Sequence, residues 1–575
     1  MRYARVFLSF CFVLCLSAAI SAATYTVTKI ADTNDGACDA ADCSLREAIA
    51  AANATADNDT ILFGSLFSFA PKTITLSGTE IVIAANGSLT INGTGANRLT
   101  VSGNGASRIF TGSANSVVNI NNLRLTGGNG AGATNTGRGG AVYNVGGTMV
   151  ITNSVLTGNS AANGGAINNA AATGGIDAHL TIINCVLSNN SSTSSGAALQ
   201  NFSTSTLHMR NTTVNNNTSS GTGIAGAFQA NGTVTITNST FSGNSAPAGT
   251  GGGVYFNGSS MIMTNTTIAN NSCQTGGGGL HRTGTAATAN VRNTIIANNN
   301  GAAATPDVSG AITSQGNNII RMVGTSTGWV ASDLQNTDPL LAPLGYYGSE
   351  EKILYTHALL NNSPAINAGN NCVTDLTCGA ANPPVALTTD ERGAARAGNV
   401  DIGAFEVNSA YVAVLPDAVS NQAYNFTLAI NTGGFIYMYL SGSPPQGLGL
   451  NSSATTAFFG GSPVTLGTFD FGIGGNNLAP INYRISVVRD LNVASIGGIV
   501  TTSTGAAVPN AVVRITDSMN NTRFARTNGF GYFRFDDVPR DQTYTVSVVS
   551  KQYQFQPQTI TVTDNVTNLN FTAQP

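Results

Sequence analysis

The stretch Asn238–Asn257, NSTFSGNSAPAGTGGGVYFN, carries no carboxylate, histidine, cysteine or lysine. The chain nevertheless keeps returning to it. NSVLTGNSAANGGAINN begins at Asn153 and NTTIANNSCQTGGGGL at Asn265, in the same order of asparagine, apolar residue, asparagine and glycine run. Aligned on the opening asparagine, a ladder runs through Asn122, Asn153, Asn184, Asn211, Asn238, Asn265 and Asn293, in steps of 27 to 31 residues. Apolar residues precede each rung by four and two positions, as in Leu180/Ile182, Leu207/Met209 and Val234/Ile236. That alternation is a strand with one buried face. Six positions after the first ladder a second one runs through Asn159, Asn190, Asn217, Asn244, Asn271 and Asn299.

A period near 28 residues with several short strands per unit marks a solenoid. Leucine-rich and ankyrin repeats have similar periods, but they need helical segments that this composition does not offer. Gly and Asn serve bends in the left-handed region instead. Each unit is therefore expected to be one turn of a parallel β-helix, right-handed by the crossover rule. Stacked asparagines in the Asn122–Asn293 ladder are expected to exchange amide hydrogen bonds from coil to coil at an inward-pointing bend.

The remaining composition narrows the class. With 575 residues the chain exceeds one ordinary core, and 9% charged against 42% hydrophobic residues argues against disorder. A net charge of −3 gives no electrostatic case for a nucleic-acid partner. At the start, MRYARVFLSFCFVLCLSAAISAATYTV places two arginines before an apolar run and then Ser21, Ala22 and Ala23. This reads as a secretory signal peptide over residues 1–23, and no later stretch is apolar enough to span a membrane. Cys11 and Cys15 would leave with it, and Leu14 stands where lipidation at Cys15 would need a small residue. In an oxidising compartment the close pairs Cys38/Cys43 and Cys372/Cys378 favour two local disulfides. Cys185 and Cys273, inside the repeats, are either buried small hydrophobes or a bridge between coils.

Several segments resemble known families. GGAV at Gly139–Val142 and GGAI at Gly164–Ile167, with LTGN, FSGN and IANN, resemble the repeats of polymorphic outer-membrane proteins and the pectate-lyase-like β-helix superfamily. CDAADCSLREAIAAAN (Cys38–Asn53) is similar to the CSLREA segment of secreted bacterial β-helix proteins. SPAINAG (Ser363–Gly369) and DERGAARAGNVDIGAFE (Asp390–Glu406) look like the choice-of-anchor Q domain. Downstream, LPDAVSNQAYNFTLAINTGG resembles bacterial Ig-like modules, and TNGFGYFRFDDVP with YTVSV resembles the carboxypeptidase regulatory-like, transthyretin-type sandwich.

The expected organisation is an all-β chain. It comprises a signal peptide at 1–23, an N-terminal cap at 24–75, β-helix coils at 76–340 and a C-terminal cap at 341–408. An Ig-like sandwich at 409–490 and a regulatory-like sandwich at 491–575 follow. A solenoid end must be covered, and SLREAIAAAN offers an N-cap at Ser44 with Leu45, Ala48, Ile49 and Ala52 on one helical face. Arg392 and Arg396 near Asp390, Asp401 and Glu406 read as the ion pairs of the other cap.

Chemistry is sparse in the repeats. Between Ile81 and Gln335 the carboxylates are Asp177, Asp307 and Asp333, and none recurs at the coil spacing that would stack a catalytic pair. His208, Arg210 and Arg292 fall on an outward strand face and are the candidates for a basic residue of a uronate lyase, or of a hydrolase on the same scaffold. After each glycine turn, Tyr143, Asn168, Gln200, Gln229, Tyr255 and His281 should stack into an outward aromatic and amide stripe suited to sugars. Asp32, Asn34, Asp35 and Asp39 supply oxygens by which Ca²⁺ could be held; otherwise they form a tight acidic turn, and no cofactor is expected. The leading expectation is a non-catalytic, monomeric, secreted or cell-surface protein contacting a polysaccharide or a surface component of a host or neighbouring cell. A purely structural envelope stalk is the remaining reading.

Overall fold

The computed structural model describes residues 22–574 apart from 69, 134, 223–225, 285–287, 350–352, 380–381, 431, 454, 476, 490–492, 519 and 541. Nearly all of the expected signal peptide, with Cys11 and Cys15, lies outside the described residues.

One coil shows how the sequence builds the solenoid. Thr233–Thr237 is a strand, Asn238 bends the chain, and Thr240–Ser242 begins a second face. Ser245–Thr250 forms a third, and after the glycine run Val254–Phe256 forms a fourth. Each strand pairs in parallel with its counterpart one coil away, placing Leu207 opposite Val234 and Met209 opposite Ile236. Four parallel sheets result, and we number them by their order in this coil. Sheet I has 11 strands from Thr24–Val27 to Thr313–Ser314, and sheet II has 11 from Lys72–Thr75 to Leu334–Gln335. Sheet III, formed by the short strands of the coil's middle such as Ser245–Thr250, has five, and sheet IV has nine. The protein is a right-handed parallel β-helix followed by β-sandwiches. Its core is the stack of inward apolar residues, each contributing about 1.5–3 kcal/mol on full burial.

The two asparagine ladders divide the work differently from the expectation. Asn122 to Asn293 all adopt left-handed backbone, with φ between 45° and 60°, so they make the bend between sheets I and II. Their side chains point outward, which corrects the inward orientation expected above. Asn184 Nδ2 donates to Asn153 Oδ1 at 3.2 Å and Asn211 Nδ2 to Asn184 Oδ1 at 3.1 Å. The second ladder is the buried one. Asn190, Asn217, Asn244 and Asn271 each accept two bonds from the preceding coil, as Asn217 Oδ1 does from Asn190 N and Nδ2 at 3.0 Å. Each also returns Nδ2 to a core carbonyl, such as Leu187 O at 2.9 Å. The residue before each inner rung (Gly158, Asn189, Asn216, Gly243, Asn270, Asn298) takes positive φ. A Gly-Asn or Asn-Asn pair is therefore a bend followed by an inward amide.

Cys185 belongs to a column of small buried polar residues with Ser154, Thr212, Ser239, Thr266 and Thr294, each following a bend asparagine. Burial pushes its thiol up to about 12. Cys273 sits on sheet III, and both cysteines are free.

Sheet I already begins at Thr24–Val27, paired with Asp59–Phe63, so the segment expected as a cap contains the first coil. The cap proper is α1, Leu45–Asn53, with a complete capping box. Glu47 N donates to Ser44 Oγ at 3.1 Å and Ser44 N to Glu47 Oε2 at 2.7 Å. Leu45, Ala48, Ile49 and Ala52 close the open core, and the Cys38–Cys43 disulfide ties the preceding loop. Ser44→Ala should cost about 1 kcal/mol, read by calorimetry as a lower melting temperature with no change in the C-terminal sandwich. The acidic residues of this loop are engaged by protein groups. Asp32 is bidentate to Arg46 at 2.8 Å, Asp39 caps Ala41 N and Asp42 N, and Asp35 lies 3.7 Å from Lys29. Asn34 is exposed, and among the described residues no three His, Cys, Asp or Glu converge.

At the other end the structure departs from a terminal cap. The solenoid core is covered by Val323 and Trp329 of the last coil. Residues 353–406 instead lie along its side, against sheet II and the outer asparagine ladder. Asn238 Nδ2 donates to Thr389 O at 2.7 Å, Asn265 Nδ2 to Asp401 O at 3.1 Å and Asn293 Nδ2 to Asn370 O at 3.0 Å. Ile295, Ala297 and Ile319, outward on sheet II, share a core with Tyr346 and with Ile402 and Phe405 of this flank. The expected ion pairs hold the flank together: Arg392–Asp390 at 2.7 Å and Arg396–Glu406 at 2.9 Å, all buried. Its disulfide is Cys372–Cys378.

The flank also merges with the next module. Leu341–Gly345 pairs antiparallel with both Thr356–Leu359 and Tyr424–Ile430, so one sheet crosses the expected boundary at 408/409. The final sandwich has its own core around Val513, Ile515, Phe533, Phe535 and Phe571.

Candidate functional site

The column that follows each glycine turn forms as a column but not as an open stripe. Tyr143, Asn168, Gln200, Gln229, Tyr255 and His281 are paired in register along sheet IV. Asn168 Nδ2 donates to Gln200 Oε1 at 2.8 Å, Gln200 Nε2 to Gln229 Oε1 at 2.5 Å, and the Tyr255 and His281 rings stack at 5.4 Å. The first five are at most 6% exposed and His281 is half-buried. This corrects the expected sugar-facing stripe. The cause is the sharp corner before each strand. Gly139, Gly164, Gly196, Gly251 and Gly276 take positive φ and fold the preceding segment over the column; a Cβ at Gly276 would stand 2.2 Å from His281 Nδ1. Over Tyr143 the cover is Arg108, 5.0 Å from the ring centroid.

The basic candidates fare differently. Arg210 and Arg292 occupy one outward column of sheet I, through Thr237 and Thr264. Three coils, about 14 Å, separate them, so they do not act as one group. Arg292 is buried and its Nε has no partner. His208 is exposed, its pKa lowered by partial burial and then by nearby His179. Arg210 is half-buried, and its guanidinium makes no hydrogen bond or ion pair with any described residue.

Docking of the flank turns this outward face into a cleft. Arg210 forms the shared wall of two adjoining depressions. One, of about 300 Å³, is lined by Asn184, Asn211, Ser349, Thr389 and Glu391. The other, of about 250 Å³, is lined by Thr181, Ile183, His208, Pro384 and Val385. The outer ladder is broken here. Asn211 donates to Asn184, but Asn238 has been drawn away to Thr389 O, so the buried Asn211 Oδ1 receives no donor.

Glu391 is the residue that sequence reasoning missed. It lies within the quoted DERGAARAG motif, but its partners are 151 and 178 positions away: Thr240 Oγ1 donates to it at 2.5 Å and Thr213 Oγ1 at 3.1 Å. Burial pushes its carboxyl up to about 8, against the pull of the threonine hydroxyls. Beside it, fully buried His357 is held down to about 4 by burial. Its Nδ1–H donates to Ala342 O at 2.7 Å, and its Nε2 accepts from Ser242 Oγ at 2.9 Å. A raised carboxyl contributes stability that is full below about pH 4.5 and falls as pH rises toward 8. A depressed histidine contributes stability that is full above about 6.5 and falls as pH drops toward 4. The two trends oppose each other between 4.5 and 6.5, so stability should decline as pH rises from 6.5 toward 8 and level off above it. Glu391→Gln should abolish that alkaline decline in melting temperature; a decline of unchanged slope contradicts the assignment.

The solenoid carboxylates have structural duties. Asp307 terminates the inner ladder, accepting Asn299 N and Nδ2 at 2.9 Å, and Asp333 accepts Asn318 N and Nδ2 at 3.0 and 2.9 Å. Asp177 is exposed and remote in sequence from both. No paired acids face the cleft among the described residues.

Two family models match parts of the chain. Residues 173–337 match the right-handed β-helix region family. Residues 495–574 match the carboxypeptidase regulatory-like domain. Among solved structures, the Bacillus anthracis TIE protein is 13% identical over 27% of this chain and 39% of its own, with a TM-score of 0.13. BcpA, the major pilin subunit of Bacillus cereus, is 9% identical over 28% of this chain and 67% of its own, with a TM-score of 0.17. No curated protein matches the chain.

Proposed function

We propose that the protein is an exported, non-catalytic β-helix that presents an extended surface for adhesion or glycan contact. The observation that carries this reading is the Arg210 cleft, where the guanidinium makes no hydrogen bond or ion pair with any described residue while the lining Glu391 is held by scaffold threonines. The signal-like leader, the two disulfides and the resemblance to secreted CSLREA and choice-of-anchor proteins support export. No helix among the described residues is long and apolar enough to cross a membrane. Glu391 does not suit general acid–base work, because it is only 1% exposed and is held by Thr213 and Thr240 of the scaffold. The test is incubation of the full chain with polygalacturonate, alginate and dextran, recording retained polymer, reducing ends and unsaturated products together. Retention of at least one polymer without product is expected. Product formation overturns the non-catalytic reading in favour of a lyase or hydrolase. Absence of both retention and product overturns the glycan reading and leaves a protein-directed adhesin or a stalk.

A further inference from the structure

We infer that the outer end of the C-terminal sandwich docks on an anionic lipid bilayer, with Phe530, Tyr532 and Val549 entering the interface and Arg526 and Lys551 meeting the lipid phosphates. Such docking goes beyond glycan contact and does not depend on it. Strand register defines the two ends of this module. The chain enters at Val493, paired with Pro539, and its first strand runs to Thr501. At the far end Ile499 pairs with Tyr532, and Val512 pairs with both Arg526 and Val549. The turn after Arg526 is tied there by Thr527 N to Ala511 O and Asn510 N to Thr527 O, each 3.0 Å. Charge is segregated between the two ends. Asp536 and Asp537 lie beside Val493 and Ala494 at the entry, and Asp564 pairs with Arg540 nearby. Asp517, the other described carboxylate side chain of the module, follows Thr516. It is about 16 Å along the strand from Val512, beyond the screening length of about 8 Å at physiological salt. Arg526 and Lys551 stand at the outer end, both exposed. The Arg526 guanidinium donates to Asn510 O at 3.5 Å, and neither residue pairs with an acid among the described residues. They line a depression of about 720 Å³ together with Val512, Val549 and Tyr553. Around it Phe530 is 76% exposed, Val549 61% and Tyr532 56%. Exposed apolar groups gathered beside unpaired cations mark an interaction surface. Aromatic rings at the headgroup level, with basic side chains reaching the phosphates, are the arrangement that an anionic leaflet favours. A soluble polyanion would engage the cations and leave Phe530 and Val549 in water, so the apolar groups decide for the bilayer.

Flotation of the full chain with lipid vesicles reads the docking directly. Vesicles of phosphatidylglycerol and phosphatidylcholine in equal parts should bind it about tenfold more tightly at low salt than phosphatidylcholine alone. Phe530→Ser combined with Val549→Ser should weaken that binding by about tenfold or more. The melting temperature should not change, because both side chains are exposed. Arg526→Gln combined with Lys551→Gln should also weaken it by about tenfold, and the binding that remains should lose its dependence on salt. Arg534→Gln, at an exposed ion pair with Asp536 at the entry end, should bind as the parent does. Equal affinity for neutral and anionic vesicles, or anionic binding that survives both double variants, overturns the inference. Retention of dextran sulfate without vesicle binding assigns the cations to a soluble polyanion and overturns it as well. Binding of neither overturns it and leaves the reading of the Arg210 cleft standing.

Discussion

Arg108→Met is expected to destabilise the β-helix by about 3–5 kcal/mol, the usual consequence of removing one partner of a buried ion pair. Arg108 is fully buried, and its Nη1 lies 2.5 Å from Glu80 Oε2. Its Nε donates to Arg138 O and Gly139 O, and its Nη2 to Gly130 O and Asn135 O. One side chain thus fastens the insertion between Gly127 and Gly139 over sheet IV, while Glu80 Oε1 accepts Ala133 N at 2.7 Å from the same insertion. Methionine would leave Glu80 buried without a counter-ion and remove the guanidinium donors from those carbonyls, of which Gly130 O keeps Gly137 N at 2.9 Å. Calorimetry should show a large drop in melting temperature, with amide exchange accelerated first at residues 128–139. The double variant Glu80→Gln, Arg108→Met should lose less than the two single losses combined. An Arg108→Met melting temperature within a degree of the parent would show that the insertion is held by other contacts.

Asn217→Ala should be comparably damaging, and its contrast with Asn184→Gly separates the two ladders. Asn217 Oδ1 accepts from Asn190 N and Nδ2, and its Nδ2 donates to Leu187 O and Asn244 Oδ1, all in the dry core. Alanine strands several of these groups at about 1–3 kcal/mol each, so a loss on the order of 4 kcal/mol is expected. Asn184 has the same spacing and a similar partner pattern in sequence, but its amide is half-exposed and water can replace a rung. Glycine keeps the left-handed bend, so Asn184→Gly should cost under about 1 kcal/mol. Equal losses at the two positions would contradict the division into an outer bend ladder and an inner structural ladder.

Much of the architecture was legible in the sequence because it is written by period. The alternation at Leu207/Met209 fixes which strand face is buried, and SLREA announces a capped helix with an apolar stripe. Which ladder points inward was less accessible. Both recur at the coil spacing, and the clue is subtle: two consecutive bend-prone residues, as in Gly243-Asn244 or Asn270-Asn271, mean that the first takes the bend and frees the second to turn in. The burial of Tyr143, Asn168 and Gln200 depends on the angle of the glycine corner, which the glycines permit without specifying. The flank was hardest to place. Glu391 finds Thr213 and Thr240 at separations no local pattern encodes, and those threonines look like any solvated strand face. A signal does exist at Ile295-Ile296-Ala297, where three apolar residues in succession break the alternation and mark an outer face that something covers.

The reading of the Arg210 cleft is tested most directly by a crystal structure of the full chain grown with trigalacturonate. The account predicts an uncleaved oligomer lying between sheet I and the flank, beside the Arg210 guanidinium. Density for the sugar on sheet IV or on the C-terminal sandwiches, with the cleft holding only solvent, would contradict it.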